Sequence, residues 1–167
     1  YDAERNAGND VRRVGEEGLY EMLSLKNRQV LDKCEFKEIV TTDPHTYNTL
    51  KNEYAELGKP VLHLAELLER ELESGSLTVS QPLDERVTFH DPCYLGRYNG
   101  VYDAPRRVLD HLGCAVVEMP RNRDRALCCG AGGGRIWMQE SPVQERPSES
   151  RIREAAALDG VTTLVTS

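Results

Sequence analysis

The sequence predicts an α/β fold, with two related α/β units packed together and mainly parallel sheets. Three observations predict it. Short β-branched runs alternate with stretches of helical period, the order that layers helices on a parallel sheet. Asp-Pro pairs and glycines punctuate those runs where helices begin and end. In the first half a Gly8-containing loop, an Arg, a helix and the strand IVTT follow one another. The second half echoes them with CCGAGGG, Arg135, a helix and TLVTS, which puts a boundary near residue 80. A chain of 167 residues suits one domain, or two small ones sharing a core.

Residues 10 to 32 read as a helix that Asp10 caps, with Val14, Leu19, Met22, Leu23 and Leu31 on a broad apolar stripe. FKEIVTT, residues 36 to 42, is strand-like. Asp43-Pro44 supplies an N-cap and first helical residue for a helix through Leu57, which Gly58 terminates. Val61 to Leu72 is helical after a short extended start, and residues 73 to 85 form a connector. Val87 to Phe89 is the next strand, and Asp91-Pro92 caps the segment after it. A helix over Ala104 to Leu112 closes at Gly113, and Ala115 to Val117 is extended. A basic loop and the glycine run lead into a helix over Glu149 to Leu158 and a last strand, Val161 to Thr166.

Lys plus Arg number 21 against 28 Asp plus Glu, a net charge of −7, which argues against nucleic acid as a partner because phosphate binding needs a cationic surface. No apolar run reaches the length of a membrane span, and the polar start, Tyr1 to Asp10, is not a signal peptide. Without an initiator Met, the chain reads as a piece of something longer. Five cysteines, an odd number, count against a disulfide framework. Free thiols in an acidic chain predict a cytoplasmic protein.

The cysteines divide by setting. Cys34 and Cys114 approach strands and read as small core residues. Cys93 lies in HDPC, and after 34 intervening residues come Cys128, Cys129 and a run with glycines at 130, 132, 133 and 134. These are loop positions at strand ends, where backbones converge at the mouth of an α/β sheet. The glycines permit φ > 0 and leave room for a bulky inorganic group, and their N–H groups can donate to sulfur. Asp91-Pro92 places Cys93 in the first turn of an expected helix, whose dipole favours the metal-binding thiolate. A soft sulfur set without a CxxH or HxxxH pattern suits iron–sulfur chemistry better than zinc or a hard cation. The residues alone leave two other readings open. One is a structural or partner-binding module without a cluster, and the other a thiol–disulfide enzyme using Cys128-Cys129.

HDPCYLGRYNGVYDAPR and EMPRNRDRALCCGAGGGRIWM, with GEEGLYEML and PHTYNTLKNEY, make the chain resemble the CCG, or cysteine-rich, domain family. That family includes heterodisulfide reductase B/D-type subunits and the iron–sulfur subunits of glycolate and lactate oxidases. The resemblance implies electron transfer through a cysteine-ligated [4Fe–4S] cluster, cubane or non-cubane. It makes Cys93, Cys128 and Cys129 metal ligands, with Gly130, Gly132 and Gly133 lining the cofactor. It implies a flavoprotein or ferredoxin-like redox partner, an acceptor such as a quinone or disulfide, and a membrane anchor elsewhere in the full protein. The family completes its ligand set with a CxxC after a strand like TLVTS, so the expectation is that Ser167 precedes a truncated motif. Residues 1–80 then form a first CCG-like unit and 81–167 a second. In the first unit Asp43 and Thr46 stand where the family often has Cys, and Asn6 sits near another such place. That site reads as degenerate, with Asp43 as an N-cap and Asp43 or His45 as conceivable substitute ligands.

Among the other residues, His90 reads as a hydrogen-bonding neighbour of the site, His63 as structural and His111 as a helix C-terminal cation. Trp137 and Met138 are expected to cover the cluster. Arg97, Arg121, Arg123 and Arg125 are expected to offset its negative charge.

Overall fold

Two small parallel sheets organise the protein, and the computed structural model describes residues 5–54, 57–139 and 145–167 of it. In the first sheet β1 (Ile39–Thr41) runs beside β2 (Val61–His63), with Ile39 opposite Val61 and Thr41 opposite His63. In the second, β3 (Arg86–His90) lies between β4 (Ala115–Val116) and β5 (Thr163–Thr166). All three run parallel, and His90 faces Thr166 in register. The expected α/β class with parallel sheets is therefore present.

The expected helix over 10 to 32 is two helices, α1 (Asn9–Arg13) and α2 (Glu17–Leu31). Gly15, at φ 92°, breaks the helical path between them. Gly8, not Asp10, holds the N-cap position of α1.

Asp43 caps α3 (Pro44–Asn48) as expected, its carboxylate accepting from the backbone N–H groups of His45 and Thr46. The helix then widens into a π-helical turn over Thr49–Glu53 and ends at an extended Tyr54 rather than running to Leu57. The change of pitch delivers Tyr54 into the interior, where its hydroxyl donates to Ala7 O and accepts from Asn27. Residues 55 and 56 of the expected helix lie outside the described residues.

His63, fully buried, caps α4 (Leu64–Glu73) through Nδ1, while Glu66 reaches back to the His63 N–H. α5 spans Asp103–His111 and closes at Gly113, at φ 77°. His111 stands in its last turn, the dipole-complementing place expected for it. α6 spans Pro147–Ala156, two residues upstream of the expected range.

Tyr47, Val61 and Leu95 centre one cluster of buried side chains, and Val87, Phe89, Leu109 and Cys114 another. Leu95 belongs to the turn after β3, so the second half of the chain supplies a side chain to the core beside the first sheet. α4 packs on α5 across the same boundary. Cys114 is buried as expected, whereas Cys34 is exposed just past the end of α2 and is not a core residue.

Candidate functional site

β3 is the rod on which the site is built. Its residues Val87 to His90 are all buried, which fixes where the chain emerges. The expectation that Asp91-Pro92 opens a helix fails, because a run of tight turns comes next. Leu95 N and Gly96 N both bond back to Pro92 O, and Tyr98 N bonds to Cys93 O. Asp91 is not free to cap a helix. Its carboxylate, 3 % exposed, receives both Nη atoms of Arg106 and the backbone N–H of Arg123.

That third bond joins the two cysteine segments. Asp91 lies two residues before Cys93, and Arg123 lies five before Cys128. One carboxylate therefore ties the turn carrying Cys93 to the loop leading to Cys128 and Cys129. Arg123 adopts φ 53°, an unfavourable backbone for a side chain. The Asp91 bond and an ion pair from Arg123 Nη1 to Asp103 at 2.8 Å hold it there.

The three cysteines are in electrostatic reach of one another. Cys93 is half-buried in its turn, and its thiol is pushed up by burial, then by the charges of Cys128 and Cys129, with Arg97 pulling it down. The helix-dipole reason for a thiolate at Cys93 is thus replaced by its opposite. Cys129 behaves differently. A hydrogen bond from His90 is the largest cause that lowers its pKa to about 6, against the opposing effect of burial. The backbone N–H groups of Ala131 and Gly132 also donate to it, and Gly130 N donates to Cys128 Sγ at 3.3 Å. His90 therefore has the hydrogen-bonding place expected for it.

Gly130 and Gly133 take φ 77° and 66°, which lets the loop fold its N–H groups toward sulfur. Gly132 needs its hydrogen for a different reason. A Cβ there would overlap Nε2 of His45, so the space expected for an inorganic group is, at this position, filled by an imidazole. The His45 ring meets Tyr94 in a tilted contact, 4.7 Å between centroids and 51° between planes, and its Nδ1 lies 3.3 Å from Asp43 Oδ1, which raises its pKa. Its Nε2 is buried without a hydrogen-bond partner among the described residues.

The same His45 lines a cleft of about 260 Å³ together with Asn6, Asp43, Thr46, Cys129 and Gly132. Asn6, Asp43 and Thr46, expected at or near cysteine positions of the family, are thus gathered at one place, against the glycine loop of the second half. As they stand, Asp43 is committed to capping and Asn6 Oδ1 accepts from Gly8 N at 2.7 Å.

Two further expectations fail. Trp137 and Met138 do not cover the cysteines, since Trp137 is 79 % exposed and Met138 is exposed beside it. Arg121 and Arg123 are engaged with Glu154 and Asp103 rather than directed at sulfur. Arg97 acts on Cys93 through its charge, as expected for it.

Arg106 and Arg151 are the functional neighbours that sequence reading missed. Arg151 shares the buried face of α6 with Ala155, and a charge on an otherwise small apolar face was the available signal.

Among the described residues no three His, Cys, Asp or Glu side chains converge on a point fit for one metal ion. A cluster spreads its thiolates over several irons, so its ligands stand further apart than those of a single ion. Three soft sulfurs, each with a backbone N–H donor trained on it, suit that kind of group.

The comparisons with known proteins agree with this chemistry. Residues 87–167 match the model of the CCG family, described as a cysteine-rich domain. The chain is 45 % identical over 159 residues to a probable iron-sulfur-binding oxidoreductase, FadF, of Bacillus subtilis, covering 93 % of this chain and 22 % of that protein. It is 43 % identical over 138 residues to an EtfAB:quinone oxidoreductase of Syntrophomonas wolfei, covering 81 % of this chain and 19 % of the other. With the D-type subunit of the dihydromethanophenazine:CoB–CoM heterodisulfide reductase of Methanosarcina mazei it shares 41 % over 105 residues, 62 % of this chain and 25 % of that protein. The chain thus spans about a fifth to a quarter of the length of these relatives. No solved structure matches it significantly. Through residues 87–167 the chain belongs to the CCG, cysteine-rich domain, family.

Proposed function

We propose that this chain is an iron–sulfur electron-transfer module of an oxidoreductase, with Cys93, Cys128 and Cys129 as ligands of a [4Fe–4S]-type cluster. One observation carries the reading. A turn after β3 and a glycine loop separated from it by 34 residues bring three thiols within electrostatic reach, with a backbone N–H group aimed at each sulfur. Names of relatives that combine iron–sulfur and oxidoreductase support it. When bound, such a cluster supplies one-electron transfer at a potential set by charge, hydrogen bonds to sulfur and solvent access.

The chain's own residues supply the rest. The N–H groups of Gly130, Ala131 and Gly132 and the ring of His90 stabilise negative charge on Cys128 and Cys129. Arg97 and the Tyr94 N–H do the same for Cys93, whose thiol burial pushes up. Gly133 contributes shape to the loop, and Asp91 holds the turn and loop in register. A flavoprotein or ferredoxin-like domain is the proposed donor, and a quinone, a disulfide or another carrier the acceptor. Among the described residues no helix is long and apolar enough to cross a membrane. Attachment to the cytoplasmic face of a membrane through other parts of the protein belongs to the same proposal. So does the division into a first unit, 1–80, without sulfur ligands and a second, 81–167, that carries the cluster.

Anaerobic reconstitution with iron and sulfide, in the presence of a small thiol to complete coordination, tests the reading. Expected are bound iron, acid-labile sulfide and a broad visible absorption, all lost in Cys93→Ala, Cys128→Ala or Cys129→Ala. A chain that stays colourless and free of iron overturns it. A colourless chain whose Cys128 and Cys129 cycle between dithiol and disulfide points instead to thiol–disulfide chemistry.

A further inference from the structure

Arg151 is 3 % exposed, on the face of α6 turned toward β3. Its Nε donates to His90 Nδ1 at 3.0 Å in a buried contact. Nη1 donates to Arg121 O at 2.7 Å and pairs with Glu154 Oε2 at 3.0 Å. Nη2 is buried without an acceptor among the described residues. A buried charge with one unmet donor is a poor device for stability alone, because each unmet donor retains its desolvation cost.

The chemistry of the His90 contact is decisive. A guanidinium has five N–H donors and no acceptor, so the imidazole nitrogen it meets must offer a lone pair. With Nδ1 used in that way, the ring proton of a neutral His90 sits on Nε2. His90 is also the hydrogen-bonding partner of Cys129, so that bond runs from Nε2–H to sulfur. An arginine on α6, a histidine at the end of β3 and a cysteine of the glycine loop thus form one directed chain of donors.

We propose that Arg151 is a positioning residue that fixes His90 as its Nε2–H tautomer, so that His90 donates to the Cys129 sulfur and offers it no lone pair. Without Arg151 the proton is free to move to Nδ1. Nε2 would then present a lone pair, a potential metal ligand, toward the same sulfur. The redox consequence rests on Cys129 being a cluster ligand. A hydrogen bond to a ligating sulfur raises the potential, so losing it lowers the potential.

The test uses the chain labelled with ¹⁵N-histidine, at pH 7, before and after reconstitution. His90 in the wild type is expected to give the NMR pattern of the Nε2–H tautomer. Arg151→Met, which removes the donor, is expected to give a mixture, and Arg151→Lys, again donor-only, to restore the single form. In the reconstituted protein the midpoint potential is expected to shift downward in Arg151→Met and to return toward wild type in Arg151→Lys. An Nδ1–H or doubly protonated His90 in the wild type overturns the proposal without any variant, even if Arg151→Met does not fold. A tautomer unchanged in Arg151→Met, or one that moves while the potential stays fixed, also overturns it. Absence of iron and sulfide from the wild type defeats the cluster reading instead, and the tautomer spectra still decide the Arg151–His90 relationship.

Discussion

Asp91 and Arg106 meet in a bidentate pair, with Nη1 2.7 Å from Oδ1 and Nη2 2.9 Å from Oδ2. Arg106 also reaches Glu118 and the carbonyl of Tyr102, so a single guanidinium braces α5, the end of β3 and the segment after β4. Removing one partner leaves the other charge buried and unmatched. Arg106→Met is therefore expected to cost about 3–5 kcal/mol in urea unfolding. Asp91→Asn, which retains an acceptor but loses the charge, is expected to cost less. A change in Arg106→Met below about 1 kcal/mol, the range of exposed pairs, would refute the bracing role.

Gly132 offers a second test. A methyl group there must displace the His45 ring, which breaks its contact with Asp43 or its tilted contact with Tyr94. Gly132→Ala is expected to destabilise by about 1–3 kcal/mol, the usual range for overpacking. In the double variant with His45→Ala most of that loss should disappear, giving a coupling energy of about 1 kcal/mol or more in a double-mutant cycle. Additive effects would show that the ring and the loop do not compete for space.

The Asp43–His45 pair predicts a pH window. Hydrogen bonds from His45 and Thr46 overcome burial and hold the Asp43 carboxyl well below its ordinary 3.8. Its contribution is complete above the unfolded value and is lost as pH falls toward the folded one. His45 runs the other way. The Asp43 hydrogen bond raises it above 6.5, so its contribution is complete below that value and is lost as pH rises through the folded pKa. The stability difference between wild type and Asp43→Ala, about 0.5–2 kcal/mol for an N-cap, should therefore peak between roughly pH 4 and 6.5 and shrink on either side. Urea unfolding at a series of pH values checks this. A difference that grows steadily to pH 9 would contradict it.

Thiol reactivity separates the cysteines in the metal-free chain. With a pKa of about 6, Cys129 is about nine-tenths thiolate at pH 7, against about a hundredth for a thiol at its ordinary 9.0. Alkylation at pH 7, followed by peptide mass spectrometry, should label Cys129 at least about tenfold faster than Cys93, after allowing for the lower nucleophilicity of a stabilised thiolate. His90→Ala should remove most of that advantage. Equal rates at Cys93 and Cys129 would mean that the His90 and N–H donors do not act on the sulfur.

Much of the architecture was legible in the sequence because its signals are local. Asp43-Pro44, Gly113 and the alternation of β-branched with helical runs state their geometry within a few residues. The cysteine segments were legible because HDPC and CCG are rare combinations with a chemical reason behind them. The misreadings arose where a distant partner overrides a local preference. Asp91 looks like a cap beside Pro92, yet Arg106, fifteen residues on, claims its carboxylate. Cys34 comes after an apolar stripe but emerges at an exposed helix end. Arg151 carries no motif, and its importance comes from facing His90 across 61 positions of chain.

The contact between His45 and Gly132 has a consequence for how such a chain drifts over generations. A segment without thiols, such as residues 43 to 46, would ordinarily be free to vary, yet here an aromatic tenant from that segment occupies the space a single hydrogen leaves open. Replacement of the histidine is a permissible first step, and only afterwards can the glycine acquire a larger successor. Residues 43 to 46 and 130 to 134 thereby limit one another's substitutions, through steric room rather than redox need.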